Sequence, residues 1–146
     1  MNIFIDTSSL FKLYHREADT ELIESVFSKV RVTNIFLSDI TKIEFTSTVW
    51  KKVRIQEISV VEAETTLGLF ELDTYKYTFI ATDNLIIEQA RNLINKYGIK
   101  GLRTLDSIQL SSALTVASKV KLFLTSDILL KSLMKEEKLP TEISNL

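Results

Sequence analysis

Four short apolar runs, each closed by a hydroxyl or a carboxylate and followed by residues of helical periodicity, restrict the fold of this chain more than any other feature. They are Ile3-Phe4-Ile5 before Asp6, Ile35-Phe36-Leu37 before Ser38-Asp39, Phe79-Ile80-Ala81 before Thr82-Asp83, and Leu122-Phe123-Leu124 before Thr125-Ser126-Asp127. A short run that is apolar throughout has no solvent face, so it fits a strand covered on both sides; the polar residue ending it fits the cap of the next helix. Around the third run a second reading stays open, because Tyr77-Thr78-Phe79 equally fits the close of a helix or a short loop. Between the runs the period changes to that of a helix. Residues 19–30 carry Leu22, Ile23, Val26, Phe27 and Val30 on one stripe, and residues 40–55 carry Ile43, Phe45, Val49, Trp50 and Val53 on another. Ser59-Val60-Val61-Glu62 has the spacing of a capping box that opens a helix toward Leu72. Asn84 to Tyr97 is amphipathic and meets Gly98 as a C-cap glycine, and Leu105 to Ala117 is a further helix. Strands alternating with helices predict an α/β fold in three layers, a parallel sheet flanked by helices on both faces. Ligands of such sheets bind beyond the carboxyl ends of the strands, which is where Asp6 and Asp127 fall.

With three glycines, one proline and no Pro/Gly/Ser-rich linker, residues 1–146 read as a single domain. The absence of cysteine excludes disulfides and thiolate metal sites, and the one histidine, His15, leaves no room for a His-rich site. Chemistry must therefore run mostly on carboxylates, hydroxyls and amines. A net charge of −1 argues against a long basic surface that grips duplex nucleic acid by itself. The N-terminus meets Asp6 at once and has no basic region before an apolar one, unlike a signal peptide. No apolar run approaches the roughly 18 residues that span a bilayer, so no membrane association and a cytoplasmic location are expected.

Each acidic residue at the ends of these elements has a purely structural explanation. Asp6 and Asp127 fit helix N-caps, Thr41-Lys42-Ile43-Glu44 fits a capping box, and Asp106 fits a first-turn charge that complements a helix dipole. Their joint placement argues for more. Asp6 and Asp127 share one sheet edge, and Asp106 opens a helix, with Gln109 and Ala113 on its outward face, whose cap lies near strand ends as well. Asp39 and Asp83 have nothing polar grouped with them and serve as capping controls. Carboxylates converging on one crevice repel each other and stay ionised together only around a cation. Hard oxygen ligands select Mg²⁺ or Mn²⁺, which suit phosphodiester hydrolysis by an activated water.

Ile5-Asp6-Thr7-Ser8-Ser9-Leu10-Phe11-Lys12-Leu13-Tyr14, Thr41-Lys42-Ile43-Glu44-Phe45, Leu102 to Leu110 with Asp106, and Phe123-Leu124-Thr125-Ser126-Asp127 together resemble, in order and spacing, the four motifs of PIN-domain nucleases of the VapC-toxin type. The resemblance spans essentially the whole chain. It implies the PIN-like parallel sheet with flanking helices and a metal-dependent endoribonuclease, the toxin of a type II toxin–antitoxin pair. Asp6, Glu44, Asp106 and Asp127 would then be metal ligands or near-ligands for Mg²⁺ or Mn²⁺, and Ser8 and Thr125 would orient them by hydrogen bonds. The partners implied are an RNA substrate, a small antitoxin protein and a second copy of the chain in a homodimer. Two departures stand out: Gln109 replaces the histidine often found three residues after the third acid, and the chain is less basic than many such toxins.

Among the basic residues, Lys12 and Arg103 are the preferred candidates for RNA contact, since each lies close in sequence to a proposed ligand. His15 reads as a surface or cap residue at a helix end, Phe45 and Trp50 as core, and Lys135-Glu136-Glu137-Lys138 as a solvated helix end before Pro140. Two rival functions remain. One is a catalytically silent PIN-like module that binds RNA or protein, against which the presence of all four acids argues. The other is a phosphatase with an aspartate nucleophile after the first strand; such enzymes place a second aspartate two residues on, where this chain has Ser8.

Overall fold

The computed structural model describes residues 1–146. The apolar runs are strands β1 (Asn2–Ile5), β2 (Asn34–Ser38), β3 (Tyr77–Ile80) and β4 (Leu122–Leu124). They pair in parallel in the order β3-β2-β1-β4. The chain thus builds outward from β1 through β2 to β3, then returns to lay β4 on the other side of β1. The strand order reverses between β1 and β4, and a crevice opens at their carboxyl ends. The third strand begins earlier than the apolar run, at Tyr77, and leaves Ala81 outside. Pairing decides this: Ile35, Phe36 and Leu37 of β2 take Tyr77, Thr78 and Phe79 as partners. Those three residues therefore belong to an edge strand and neither close a helix nor form a loop.

Seven helices cover the sheet: α1 (Thr7–Phe11), α2 (Thr20–Lys29), α3 (Thr41–Arg54), α4 (Val60–Asp73), α5 (Asn84–Tyr97), α6 (Thr104–Thr115) and α7 (Ile128–Glu136). Alternate strand side chains point to opposite faces, and this divides the core in two. Ile3, Ile5 and Leu122 pack with Leu10, Val26, Phe45, Val49 and Phe70 from α1 to α4. Phe4 and Phe123 pack with Leu93, Leu110, Leu130 and Leu133 from α5 to α7. The three-layer α/β architecture expected from the sequence is present.

Local signals are realised unevenly. The Ser59–Glu62 capping box forms, with the Glu62 amide donating to Ser59 Oγ at 3.1 Å and the Ser59 amide to Glu62 Oε1 at 3.4 Å. Gly98 follows α5, but its backbone stays right-handed (φ −57°), and a short 3₁₀ turn carries the chain on to Gly101. Gly101 is the residue that takes the left-handed conformation (φ 106°) that stops the helix. Trp50, expected in the core, lies on the outer side of α3 and is 36% exposed, whereas Phe45 is fully buried. Gln109 and Ala113, expected on the outward face of α6, are buried at 2% and 0% exposure, because α6 is wedged between β2, α5 and α7 and has almost no solvent face. No helix is long and apolar enough to cross a membrane.

Candidate active site

Asp6 follows β1 directly, and its amide donates to Leu124 O of β4 at 3.0 Å, which puts its carboxylate in the crevice between the two strands. As the N-cap of α1 it accepts the Ser9 amide at 3.0 Å. Ser8 Oγ donates to the same carboxylate at 2.8 and 2.9 Å, and Thr125 Oγ1, just past β4, donates at 2.7 Å. Both hydroxyls are themselves aimed by backbone. The Ser126 amide donates to Ser8 Oγ at 3.0 Å and the Asp127 amide to Thr125 Oγ1 at 3.1 Å, so each hydroxyl proton is left for Asp6. Burial raises the Asp6 pKa from 3.8 to about 6; the hydrogen bonds from Ser9, Thr125 and Ser8 oppose the rise and the charge of Glu44 adds to it.

The other acids stand around this anchor in different ways. Asp127 caps α7, accepting the Leu130 amide at 2.7 Å, so its structural explanation holds alongside any chemical one. Asp106, in the first turn of α6, accepts no capping hydrogen bond; partial burial raises its pKa, the charges of Asp127 and Glu44 raise it further, and Arg103 pulls it down. The capping box proposed for Glu44 does not form, since α3 starts after Ile40 with no side-chain cap. Glu44 Oε1 instead accepts Gln109 Nε2 at 2.7 Å and the Thr7 hydroxyl at 3.0 Å. Glu44 and Asp106 share the wall of an open hollow of ≈ 320 Å³ with Arg103, Thr104 and Leu105. Asp6 thus feels the charge of Glu44, and Asp106 those of Asp127 and Glu44, although no three of the acids are close enough to form a ready-made cage for an ion.

The two control aspartates separate. Asp83 caps α5 through the Ile86 amide at 3.0 Å, as expected. Asp39 caps nothing; it accepts the Thr82 amide at 3.1 Å and the Thr82 hydroxyl, tying the end of β2 to the loop beyond β3. Lys12 lines a second hollow that begins at Ser8 and Ser126, together with Lys51 and Lys52. Its ammonium pairs with Asp19 at 2.7 Å, however, and Lys52 pairs with Glu17 and Glu57 at 3.2 and 2.7 Å. Arg103 is exposed beside Asp106. His15 rests on the Phe11 ring, 5.4 Å between centroids.

A family model described as the PIN domain matches residues 3–135. The chain belongs to the PIN-domain family. No curated protein matches it. Among solved structures this PIN domain is similar to Mycobacterium tuberculosis VapC20, a sarcin-ricin loop cleaving toxin, with a TM-score of 0.68 and 14% identity over 90% of this chain and 94% of that one. It is similar also to VapBC-1 from nontypeable Haemophilus influenzae, with a TM-score of 0.65 and 16% identity over 97% of each chain. A third likeness is to VapBC2 from Rickettsia felis, bound to a DNA fragment from its promoter, with a TM-score of 0.61 and 16% identity over 97% of this chain and 98% of that one. At such identities the likeness is one of fold.

The PIN domain's acids fit a divalent cation in kind. The donor set is carboxylate oxygen only, which suits hard ions such as Mg²⁺ and Mn²⁺. Asp106 is raised by burial and then by its acidic neighbours, and a dication between them would reverse that repulsion. Sequence reasoning passed over the roles of Thr7, Thr41 and Gln109. The available signal was the run Ser107-Ile108-Gln109-Leu110-Ser111-Ser112-Ala113, whose small polar and apolar residues leave this stretch of α6 no solvent face and so force Gln109 inward.

Proposed function

We propose that this PIN domain is a metal-dependent endoribonuclease and acts as the toxin of a toxin–antitoxin pair. The observation that supports this best is the Asp6 carboxylate, held at the strand-order reversal by two backbone-aimed hydroxyls and raised further by the charge of Glu44, with Asp106 raised nearby by burial and by the charges of Asp127 and Glu44. A buried acid surrounded by other acids is costly to keep ionised without a counter-cation. Asp6, Glu44, Asp106 and Asp127 would hold Mg²⁺ or Mn²⁺, which supplies charge neutralisation at a phosphodiester and an acidified water for its hydrolysis.

The chain's own residues do the rest. Ser8 and Thr125 keep Asp6 from rotating, and Arg103, on the rim beside Asp106, meets a phosphate of an RNA strand entering the hollow. Lys12 contributes to that approach only after its pair with Asp19 opens. The VapBC assemblies of similar fold support an antitoxin as partner; a second copy of the chain as neighbour rests on the motif resemblance alone. An antitoxin that covers an acidic crevice would do so with arginine, whose planar fork pairs with carboxylates in two hydrogen bonds.

The test pairs cleavage with binding. Incubated with structured RNA and Mn²⁺, the wild type should cut, and EDTA should stop it. Asp106→Asn should lose cleavage by several orders of magnitude while binding RNA at least as well, because it removes a ligand and also a charge that repels phosphate. A silent RNA-binding module would cut in neither form and bind equally in both. Cleavage by Asp106→Asn at the wild-type rate would remove this residue from the site.

A further inference from the structure

Gln109 is 2% exposed, at the centre of a buried contact between α6, α1 and α3. Its Nε2 lies 2.7 Å from Glu44 Oε1, 3.1 Å from Thr7 Oγ1 and 3.1 Å from Thr41 Oγ1. The nitrogen end faces Glu44, since an amide oxygen there would set two acceptors against each other. The Thr7 hydroxyl reaches the same Oε1 at 3.0 Å and Thr41 Oγ1 at 3.2 Å. Both donors therefore converge on one oxygen of the Glu44 carboxylate, and Oε2 takes no hydrogen bond from the chain.

The opposite end of the amide is informative. Gln109 Oε1 is buried and has no hydrogen-bond partner. An amide that served only to fill and cross-link this contact would be expected to satisfy both ends, because a buried unpaired acceptor is destabilising. Here the unsatisfied end is tolerated while the donor end is kept on a half-exposed carboxylate. Gln109 also stands three residues after Asp106 on α6, a spacing that sets the two on one helix face. It thereby links Glu44 rigidly to the helix that carries the acid across the same hollow.

We propose that Gln109, assisted by Thr7, is a positioning residue that clamps one oxygen of Glu44 and presents the other as a single, fixed donor toward the divalent cation of the site. The inference rests on the metal-dependent reading above. A carboxylate tied this way cannot swing to bind in two-oxygen fashion, and its orientation is set before the ion arrives. Loss of the clamp should weaken ion binding more than it slows the reaction once the ion is bound.

The experiment measures Mn²⁺ affinity of the RNA-free protein by calorimetry, melting of the metal-free protein, and cleavage at saturating Mn²⁺. Gln109→Met keeps the side chain's length and removes its N–H donors. Its Kd for Mn²⁺ should rise about tenfold or more, the usual effect of removing a group that orients a metal ligand. Cleavage at saturating Mn²⁺ should stay within a few-fold of wild type. Gln109→His restores a ring N–H and should recover most of the lost affinity. Thr7→Val removes the second donor to Oε1 at equal volume and should weaken Mn²⁺ several-fold, which keeps the question open to test if Gln109→Met does not fold. Wild-type Mn²⁺ affinity in Gln109→Met or in Thr7→Val overturns the proposal, as does a lower melting point with no change in Kd. A wild type that binds Mn²⁺ but leaves RNA intact contradicts the nuclease reading alone; one that binds no Mn²⁺ contradicts both.

Discussion

At Asp6 the chemistry of the site conflicts with the stability of the fold. Its carboxyl is pushed up to about 6 from 3.8, mainly by burial, so over the intervening pH range the folded, metal-free chain retains a proton that the unfolded chain has released. This group therefore costs nothing below about pH 4, becomes progressively unfavourable as pH rises to about 6, and levels off above that at about 3 kcal/mol. Asp106, raised by burial and by its acidic neighbours, acts in the same direction. The metal-free melting temperature should accordingly fall between about pH 4 and about pH 6 and flatten above, and Asp6→Asn should remove most of that fall. Above pH 6, Mn²⁺ should raise the wild-type midpoint as RT ln(1 + [L]/Kd) requires and leave Asp6→Asn nearly unmoved. A pH profile of Asp6→Asn parallel to wild type would show that burial of Asp6 carries no such penalty.

Among the elements, α7 shows how one residue serves two ends. Asp127 caps it through the Leu130 amide and also raises Asp106. Replacement by asparagine keeps a capping oxygen and removes the charge; replacement by alanine removes both. In denaturant unfolding Asp127→Ala should be about 1 kcal/mol less stable than Asp127→Asn, while both lose cleavage. Equal stability would mean the cap contributes nothing. Element boundaries were legible where local chemistry decides them. The helix from Asn84 to Tyr97 and the box at Ser59 follow from capping and periodicity. The start of β3 was not, because Tyr77 to Phe79 is half-exposed and takes its strand conformation from pairing with β2. Nor was the choice between Gly98 and Gly101, since a 3₁₀ turn can postpone the left-handed residue by a few positions without any change in composition.

At the scale of the whole molecule, the parallel order β3-β2-β1-β4 brings Asp6 beside Thr125 across more than a hundred residues. The positions of Asp6 and Asp127 at the carboxyl edge followed from the lengths of the apolar runs. Ser8 and Thr125, from opposite ends of the chain, both donate to Asp6 there. The Thr7–Thr41–Gln109–Glu44 contact was out of reach of such reasoning. It joins side chains from three helices, and contacts between side chains distant in sequence leave no period for a pattern to reveal. The chain's one histidine packs on Phe11, and the crevice sets its acids beside the hydroxyls of Ser8 and Thr125 and the guanidinium of Arg103. Under the metal-dependent reading proposed above, hydrolysis proceeds by attack of an activated water on the phosphate, without participation of the RNA 2′-hydroxyl. The most direct measurement is the chemistry of the ends left on RNA cut by the wild type in Mn²⁺. Monophosphate and free hydroxyl ends, with cleavage retained when the nucleotide at the cut carries no 2′-hydroxyl, are predicted; a 2′,3′-cyclic phosphate, or cleavage that survives EDTA, would contradict the account.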